Sequence, residues 1–577
     1  MALSLALAAL LAAGSSHAEV KNPNTFVHLS ASDANSLDPA WSGERTSFFI
    51  IQNLYETLFT YDGGSLEKMV PLVAEKVPTR ENGLVSQDGL TYTIPIRSGI
   101  RFHDGTSLTA EDARYSLMRC ALMDAGVGEL LLEPLAGYRS TFGPDGRLRP
   151  GAYRDLDRAV RVEGANLVLR LPQPFPALPS VLARWSVIVS KRWAAAHGDW
   201  DGGEASWASY SHPKKEDSPF HSRENGSGPF RLERWDRAGQ QVVLARSEGY
   251  WRKPAALKRV IVRAVPEFAT RKLMLEAGDA DAIAADRALL SQLRDLPGVQ
   301  VLDDLPSTDL RAVMHFCLRV STAGNPYIGS GRLDGEGIPP GFFADRDVRL
   351  GFAYAFDYEG FRRDVYRGRA EQARGFIPKG MPGYDPALPL YALDLGKAEA
   401  QWKKALGGEV WRKGFRLPLA YMAGSADHQA ACQLLKRNLE ALNPRFRVDV
   451  RALDVPALMD GLESGRLPFH VRRDGAPFLD PHAYALQFML TDRTNSCRYS
   501  DADTDRLTYA ALHELDPRRR EELYHRLLGR EHEEAPDVVL FTVPDVRVQR
   551  SWVKGYRHNP MLAGGCEFYG LSKSDAP

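Results

Sequence analysis

The spacing of apolar and polar positions divides the chain into short strands, amphipathic helices and loops punctuated by Gly and Pro. Phe26–Ser30 is a brief apolar run that predicts a strand. The loop ANSLDPA follows, and Phe48–Tyr55 then carries its apolar residues on one helical face. Across Gln87–Phe102 the turn pair Asp88-Gly89 predicts a hairpin, with Leu90–Ile96 as its strongest strand. Thr109-Ala110-Glu111-Asp112 has the spacing of a capping box, and Ala113, Leu117 and Cys120 continue at helical spacing. Val160–Val162 and Leu167–Leu171 flank EGAN as a second hairpin, and PQPFPALP then breaks the pattern.

The same reading continues to the end of the chain. Ser209–Gly228 is a polar, Gly/Ser/His-rich loop. Strands are predicted at Pro229–Trp235, Gln241–Ala245, Val260–Val265 and Leu310–Leu318, with a helix at Thr270–Ala277. Asn325–Gly341 is Gly-rich and loop-like. Asp345 is a plausible N-cap for a helix that stripes Val348, Phe352 and Phe356 on one face. A further helix at His428–Leu442 stripes Ala431, Leu435, Leu439 and Leu442. Strands and helices are mixed throughout, without an internal repeat, which places the chain in the α/β or α+β class.

Composition narrows the function classes. The 577 residues suit several domains or one large bilobed body. Lys+Arg and Asp+Glu both number 73, so the chain lacks the basic excess that nucleic-acid binding needs. The dense charge run Asp516–Glu522 mixes both signs and reads as a solvated helix face. The first eighteen residues, MALSLALAALLAAGSSHA, are an apolar run ending in the small-x-small step Ser16-His17-Ala18. They predict a signal peptide at 1–18, although no Lys or Arg precedes the apolar run. The run is short for a membrane span, and its bland alternative is a buried N-terminal helix. No Cys follows it, so a lipid anchor is not indicated. The five cysteines form no C-x-x-C pair, and their odd number leaves at least one unpaired within a monomer.

Candidate chemistry is thin. His103-Asp104 in FHDG has the composition of an acid–base couple, but its place between a strand and a capped helix favours turn hydrogen bonding. Asn225-Gly226-Ser227-Gly228 reads as a tight turn rather than an anion cradle, because no Lys follows it. An exported hydrolase would need a nucleophile elbow or a metal motif, and neither G-x-S-x-G nor H-E-x-x-H occurs. His525 and His532 lie seven apart, and Asp480 and His482 two apart, both weak metal spacings. No catalytic residue, metal ligand or cofactor is assigned.

From Leu37 onward the residues carry a family resemblance. The blocks NLYETLFTYDGG (Asn53–Gly64), PLVAEKV (Pro71–Val77) and DGLTYTIPIRSGIRFHDGTSLTAEDARYSLMR (Asp88–Arg119) lead. NGSGPFRLERW (Asn225–Trp235), EGYW (Glu248–Trp251), MLEAGDADA (Met274–Ala282) and FADRDVRLGFAYAFD (Phe343–Asp357) follow in order. LDP (Leu479–Pro481), APDVVLF (Ala535–Phe541) and VKGYRHNPM (Val553–Met561) complete the set. On these the chain resembles the family 5 extracellular solute-binding proteins, which include dipeptide- and oligopeptide-binding proteins.

The resemblance implies a bilobed α/β fold of the periplasmic-binding-protein type (type II, cluster C). Lobe I would comprise residues 19–58, 185–307 and 538–577, with an extra subdomain at 59–184, and lobe II would be 308–537. Two crossings, near Pro306–Asp309 and Ala535–Asp537, would form the hinge. It also implies a periplasmic, monomeric binding component of an ABC importer, not an enzyme. Its partners would be a peptide or other small polar solute and the membrane permease and ATPase subunits. An opine, an oligosaccharide and a metal chelate remain alternative ligands, as does a sensory role.

Three stretches are expected to face the cleft on this reading. They supply Trp41 from the 36–41 loop, His315 and Phe316 from the strand past the first crossing, and Arg472, Arg473, Asp474, Phe478 and Asp480 from VRRDGAPFLDP. Met422 joins them from the segment before the 428–442 helix. Many peptide binders hold the ligand's ammonium with an Asp three residues before the Asp of Asp-Pro. Pro477 stands there instead, with no carboxylate to offer. Asp474 is the candidate substitute, with Arg472 and Arg473 as candidate carboxylate binders. The bland reading of the three is a local ion-pair cluster.

Overall fold

The computed structural model describes residues 20–41, 43–491, 498–562 and 566–574. The apolar leader at 1–18 and Cys497 lie outside the described residues. The other four cysteines are buried free thiols.

Two mixed sheets organise two lobes. The first holds seven strands in the order Val299–Leu305, Asp545–Arg550, Ala282–Ile283, Thr25–Ser30, Arg259–Ala264, Gln241–Arg246 and Phe230–Asp236. The second holds six, in the order Glu371–Gln372, Asp537–Thr542, Leu310–Phe316, Phe469–Asp474, Phe415–Met422 and Phe446–Leu453. A smaller sheet of Thr91–Pro95, Asn166–Arg170 and Val160–Glu163 lies in the segment between residues 59 and 184. The strands form where alternation demands it: in Arg259–Ala264 the apolar Val260 and Val262 are buried, while Arg259 and Arg263 face water. Helix Ala426–Leu442 forms for the matching 3.6-residue reason, burying His428, Ala431, Cys432, Leu435 and Leu439 on one stripe.

Several local signals act as their chemistry requires. Asp112 accepts from the backbone N–H of Thr109 at 2.9 Å and from its hydroxyl at 2.8 Å, closing the start of helix Ala110–Met123. Asp345 accepts from the N–H of Asp347 at 2.8 Å and starts helix Arg346–Ala355. That helix stops one residue before Phe356, which is nonetheless buried against Tyr358 and Phe361. Asp516 caps the charged helix Pro517–Glu534 in the same way.

The turn at Asp88-Gly89 closes a short hairpin, in which Ser86 donates its N–H to the carbonyl of Thr91 at 2.9 Å, Thr93 donates to that of Leu84 at 2.8 Å and Val85 bridges Tyr92. The longer ladder of Thr91–Pro95 is with Asn166–Arg170, and it buries Tyr92 and Ile94. One expectation is corrected: the second crossing lies later than Ala535–Asp537. Asp537–Thr542 pairs with Leu310–Phe316 in the second sheet, and Asp545–Arg550 pairs with Ala282–Ile283 and Val299–Leu305 in the first. The chain therefore crosses at Val543–Pro544, beside the other crossing between Leu305 and Leu310.

The turn at Asn225–Gly228 explains both of its glycines and the neighbouring His103. His103 places Nδ1 2.8 Å from Glu224 and Nε2 3.0 Å from the carbonyl of Gly228. Both neighbours are acceptors. Burial opposes a charge here, but Glu224 overrides it and raises the His103 pKa, so the ring holds both protons and acts as a structural clamp. The turn packs so tightly on helix Arg45–Leu54 that a Cβ on Gly226 would stand 2.0 Å from the Leu54 carbonyl oxygen. Gly226→Ala is expected to cost about 3 kcal/mol in a denaturant titration, as overpacking against backbone does. An unshifted midpoint would show that the turn can move away.

Candidate ligand-binding cleft

In lobe II, Phe415–Met422 runs parallel to both Phe446–Leu453 and Phe469–Asp474, and Leu310–Phe316 runs antiparallel to the last. Met422, Leu453, Asp474 and the start of Leu310–Phe316 therefore share one edge, next to the first crossing. In lobe I, Thr25–Ser30 is parallel to Arg259–Ala264 and Ala282–Ile283, and Asp545–Arg550 is antiparallel to the last. Their carboxyl ends meet the second crossing. The cleft thus lies at the carboxyl ends of the strands of both lobes, where open α/β sheets present ligand sites.

The lobes are closed on each other. Trp185 donates its indole N–H to the carbonyl of Pro477 at 2.8 Å. Arg80 donates to the carbonyl of Leu515 at 2.7 Å, and Nδ1 of His513 lies 2.7 Å from the carbonyl of Pro174. One continuous apolar core accordingly runs from lobe I through the 59–184 segment into Phe478, Ala483, Tyr484 and Phe488.

The expected residues divide into groups. Arg472 and Asp474 form an ion pair at 2.8 Å, and Asp474 also lies 2.6 Å from Nε2 of His315. His315 stacks on His470 and on Phe488. Burial alone would raise the Asp474 pKa, but Arg472 and His315 hold it well below the usual carboxylate range. Burial lowers that of His315 despite Asp474, so the ring is neutral and donates from Nε2. Arg473 reaches Asp309 instead, at the first crossing.

Three residues, Phe316, Asp480 and Phe478, sit differently from the expectation. Phe316 points to the opposite sheet face, fully buried among Phe343, Phe352 and Phe469, because successive strand residues alternate sides. Asp480 caps helix Pro481–Phe488 and is gripped by both Nη atoms of Arg520 at 2.6 and 3.0 Å, so its carboxylate is already committed. Phe478 is buried in the shared core. Trp41 packs half-buried on the shared core, with its indole Nε1 shut away from water and without a hydrogen-bond partner. Met422 ends its strand opposite Leu453 and is 36% exposed, with Val455 and Met459 exposed nearby on the helix that follows the next strand.

A bacterial extracellular solute-binding protein family 5 model matches residues 68–496, most of the chain. The chain belongs to that family. Among similar sequences, the probable D,D-dipeptide-binding periplasmic protein of Escherichia coli is 25% identical over 543 residues, covering 92% of this chain and 91% of its own. The glutathione-binding protein of Salmonella typhimurium is 24% identical over 510 residues, covering 85% and 84%. Among solved structures, Campylobacter jejuni NikZ with Ni(L-His) superposes with a TM-score of 0.73 at 17% identity, covering 96% of this chain and 100% of that one. Helicobacter pylori DppA with the peptide STSA does so at 0.69 and 20%, covering 95% and 98%. The fold is that of a bilobed solute-binding protein. Among the described residues, no helix is long and apolar enough to cross a membrane, and no cluster of three metal-ligating side chains occurs.

In this solute-binding protein the sequence reading missed the residues just before the lobe I face. Arg184 lays its guanidinium over Phe48 at 4.5 Å and over Trp185 at 4.7 Å. Its Nε is out of reach of solvent and has no hydrogen-bond partner. Burial pushes its pKa down to about 10, with Asp309 alone opposing. The only sequence signal was an Arg-Trp pair at the end of an apolar helix, which reads as packing. An open groove of about 520 Å³ beside the second crossing is a separate feature; its Asp303 is held 2.6 Å from Arg369 of lobe II.

Proposed function

We propose that this protein is the extracytoplasmic solute-capturing component of an ABC importer. It takes a peptide or peptide-like solute into the cleft, closes about the two crossings and presents the closed form to a membrane permease driven by ATPase subunits. The observation that carries this is the pair of short crossings between two separate sheets, with the carboxyl ends of their parallel strands turned to them. A ligand that touches both walls stabilises the closed form, which is what a hinge needs to report capture. Peptide cargo is supported by the dipeptide- and glutathione-binding relatives. Export through a cleaved leader at 1–18 and action as a monomer belong to the same reading.

A second reading, the same fold holding a non-peptide solute such as an opine, an oligosaccharide or a metal chelate, is favoured by one observation. Pro477 stands where an ammonium anchor is expected, and Asp474, its nearest substitute, is engaged by Arg472 and His315.

Mass spectrometry of what co-purifies, followed by thermal-shift titration, tests both. A ligand at a hundred times its Kd adds about 2.7 kcal/mol to the folded state and raises Tm. Recovery of the ligand unchanged is the expected result. Its conversion to product would replace the binding reading with an enzymatic one.

A further inference from the structure

We infer that the solute carries a carboxylate, and that Arg184 receives it at the lobe I wall of the cleft. The inference rests on the solute-binding reading above and deepens it by naming the ligand's charge. Three arginines of lobe II already have acidic partners: Arg311 with Asp427 at 2.8 Å, Arg472 with Asp474 at 2.8 Å, and Arg473 with Asp309. Arg184 has none. Among the described residues its guanidinium meets only the faces of Phe48 and Trp185, and its Nε is buried and unpartnered. The one carboxylate that acts on it, Asp309, is hydrogen-bonded to Arg473 across the crossing.

Arg184 is part-buried, with Nε shut away from water. A charge drawn partly out of water without a counterion is costly, and a protein retains one where something else completes it. The place makes the completing group a ligand. Trp185, the next residue, donates its indole to Pro477 of lobe II, so Arg184 sits where the two walls meet. The two aromatic faces fix the guanidinium plane and leave its edge free for the two parallel hydrogen bonds a carboxylate accepts. The acidic groups of the opposite wall give the complementary half of the argument. Asp474, Asp427 and Asp309 are all held by arginines, so no described carboxylate on that wall is left to require an ammonium on the ligand. An N-blocked or amine-free acid satisfies the cleft as well as a free peptide does.

The test uses the purified full chain and two libraries of di- to pentapeptides that differ only at the carboxyl end, one with free acids and one with amides. Thermal shift and native mass spectrometry report binding. The free acids are expected to bind at least 10-fold more tightly than the amides, whether or not their amino ends are acetylated. Arg184→Met is expected to erase that preference by losing about 10- to 100-fold in affinity for the acids. Its ligand-free Tm should equal or exceed that of the parent, which separates lost recognition from lost folding. Equal binding of acids and amides, or parent-like acid binding by Arg184→Met, overturns the inference and leaves solute binding standing. If neither library binds, the peptide reading fails and the inference falls with it.

Discussion

Replacing Arg119 with alanine is expected to destabilise the protein by about 3–5 kcal/mol, the cost of breaking a buried charge network from one side. Arg119 lies on helix Ala110–Met123 and is almost wholly buried. It donates to Asp38 through Nη1 at 2.9 Å and Nη2 at 2.7 Å, and to Asp199 through Nε at 3.1 Å and Nη2 at 2.7 Å. Ser218 donates to Asp38 from a third segment at 2.5 Å. Burial alone would raise the Asp38 pKa, and Arg119 reverses it and holds the carboxylate charged. Removing the cation leaves two buried carboxylates facing each other without a counterion. It also releases the loop that carries Trp41, whose neighbour Ala40 donates its N–H to Asp38 at 2.9 Å. Guanidinium titration measures the loss. Adding Asp38→Asn and Asp199→Asn to the Arg119→Ala chain should restore part of it, because neutral amides cost less to bury. A midpoint unchanged by Arg119→Ala would show that water enters and solvates the pair.

Stability is also expected to fall as pH rises from about 4.5 to about 8, through one residue. Glu531 is fully buried near the end of helix Pro517–Glu534. It accepts the N–H of Phe376 at 3.1 Å and shares a hydrogen bond with Asp537, the first residue of the strand that leads to the second crossing. Burial pushes its pKa up to about 8 against an ordinary value of 4.5, so the folded protein keeps this proton where the unfolded chain has lost it. Unfolding then releases a proton throughout that window. The stabilising contribution is complete below pH 4.5 and gone above pH 8, a difference on the order of a few kcal/mol. Arg374 lines the same cavity as Glu531 but donates to the carbonyl of Leu388, and no arginine or lysine is among the groups that shift Glu531. Tyr391 stacks on His532 and feels both Glu531 and Asp537, and burial depresses the His532 pKa so that the ring stays neutral. Glu531→Gln should flatten the pH dependence of Tm across the window. An unaltered slope in that variant would assign the effect elsewhere.

Much of the fold was legible because it is written in local periodicity. The strands at 25–30, 230–236, 241–246, 259–264 and 310–316 and the helices at 110–123 and 426–442 all lie where alternation or a 3.6-residue stripe predicted them. Capping at Thr109 and Asp345 and the turn at Asn225–Gly228 were equally readable, since each depends on residues within a few positions of one another. Partner choice was not. The strand at 91–95 pairs some seventy residues downstream, and the crossing moved to Val543–Pro544 because the 537–542 strand joined the second sheet.

The candidate site was legible only as a neighbourhood. VRRDGAPFLDP runs from the strand edge beside the first crossing, and three of its charged residues, Arg472, Asp474 and Asp480, are satisfied by one another, by His315 and by Arg520. Sequence alone determined the family and the α/β class, because these depend on residue identity and spacing. Only the tertiary structure decided which charges are spent and which remain. His315 meets Asp474 across 159 steps of chain, while Arg184 is left over two aromatic faces with no acid paired to it. A charge's availability to a ligand depends on what folding has already brought against it, and no local pattern records that.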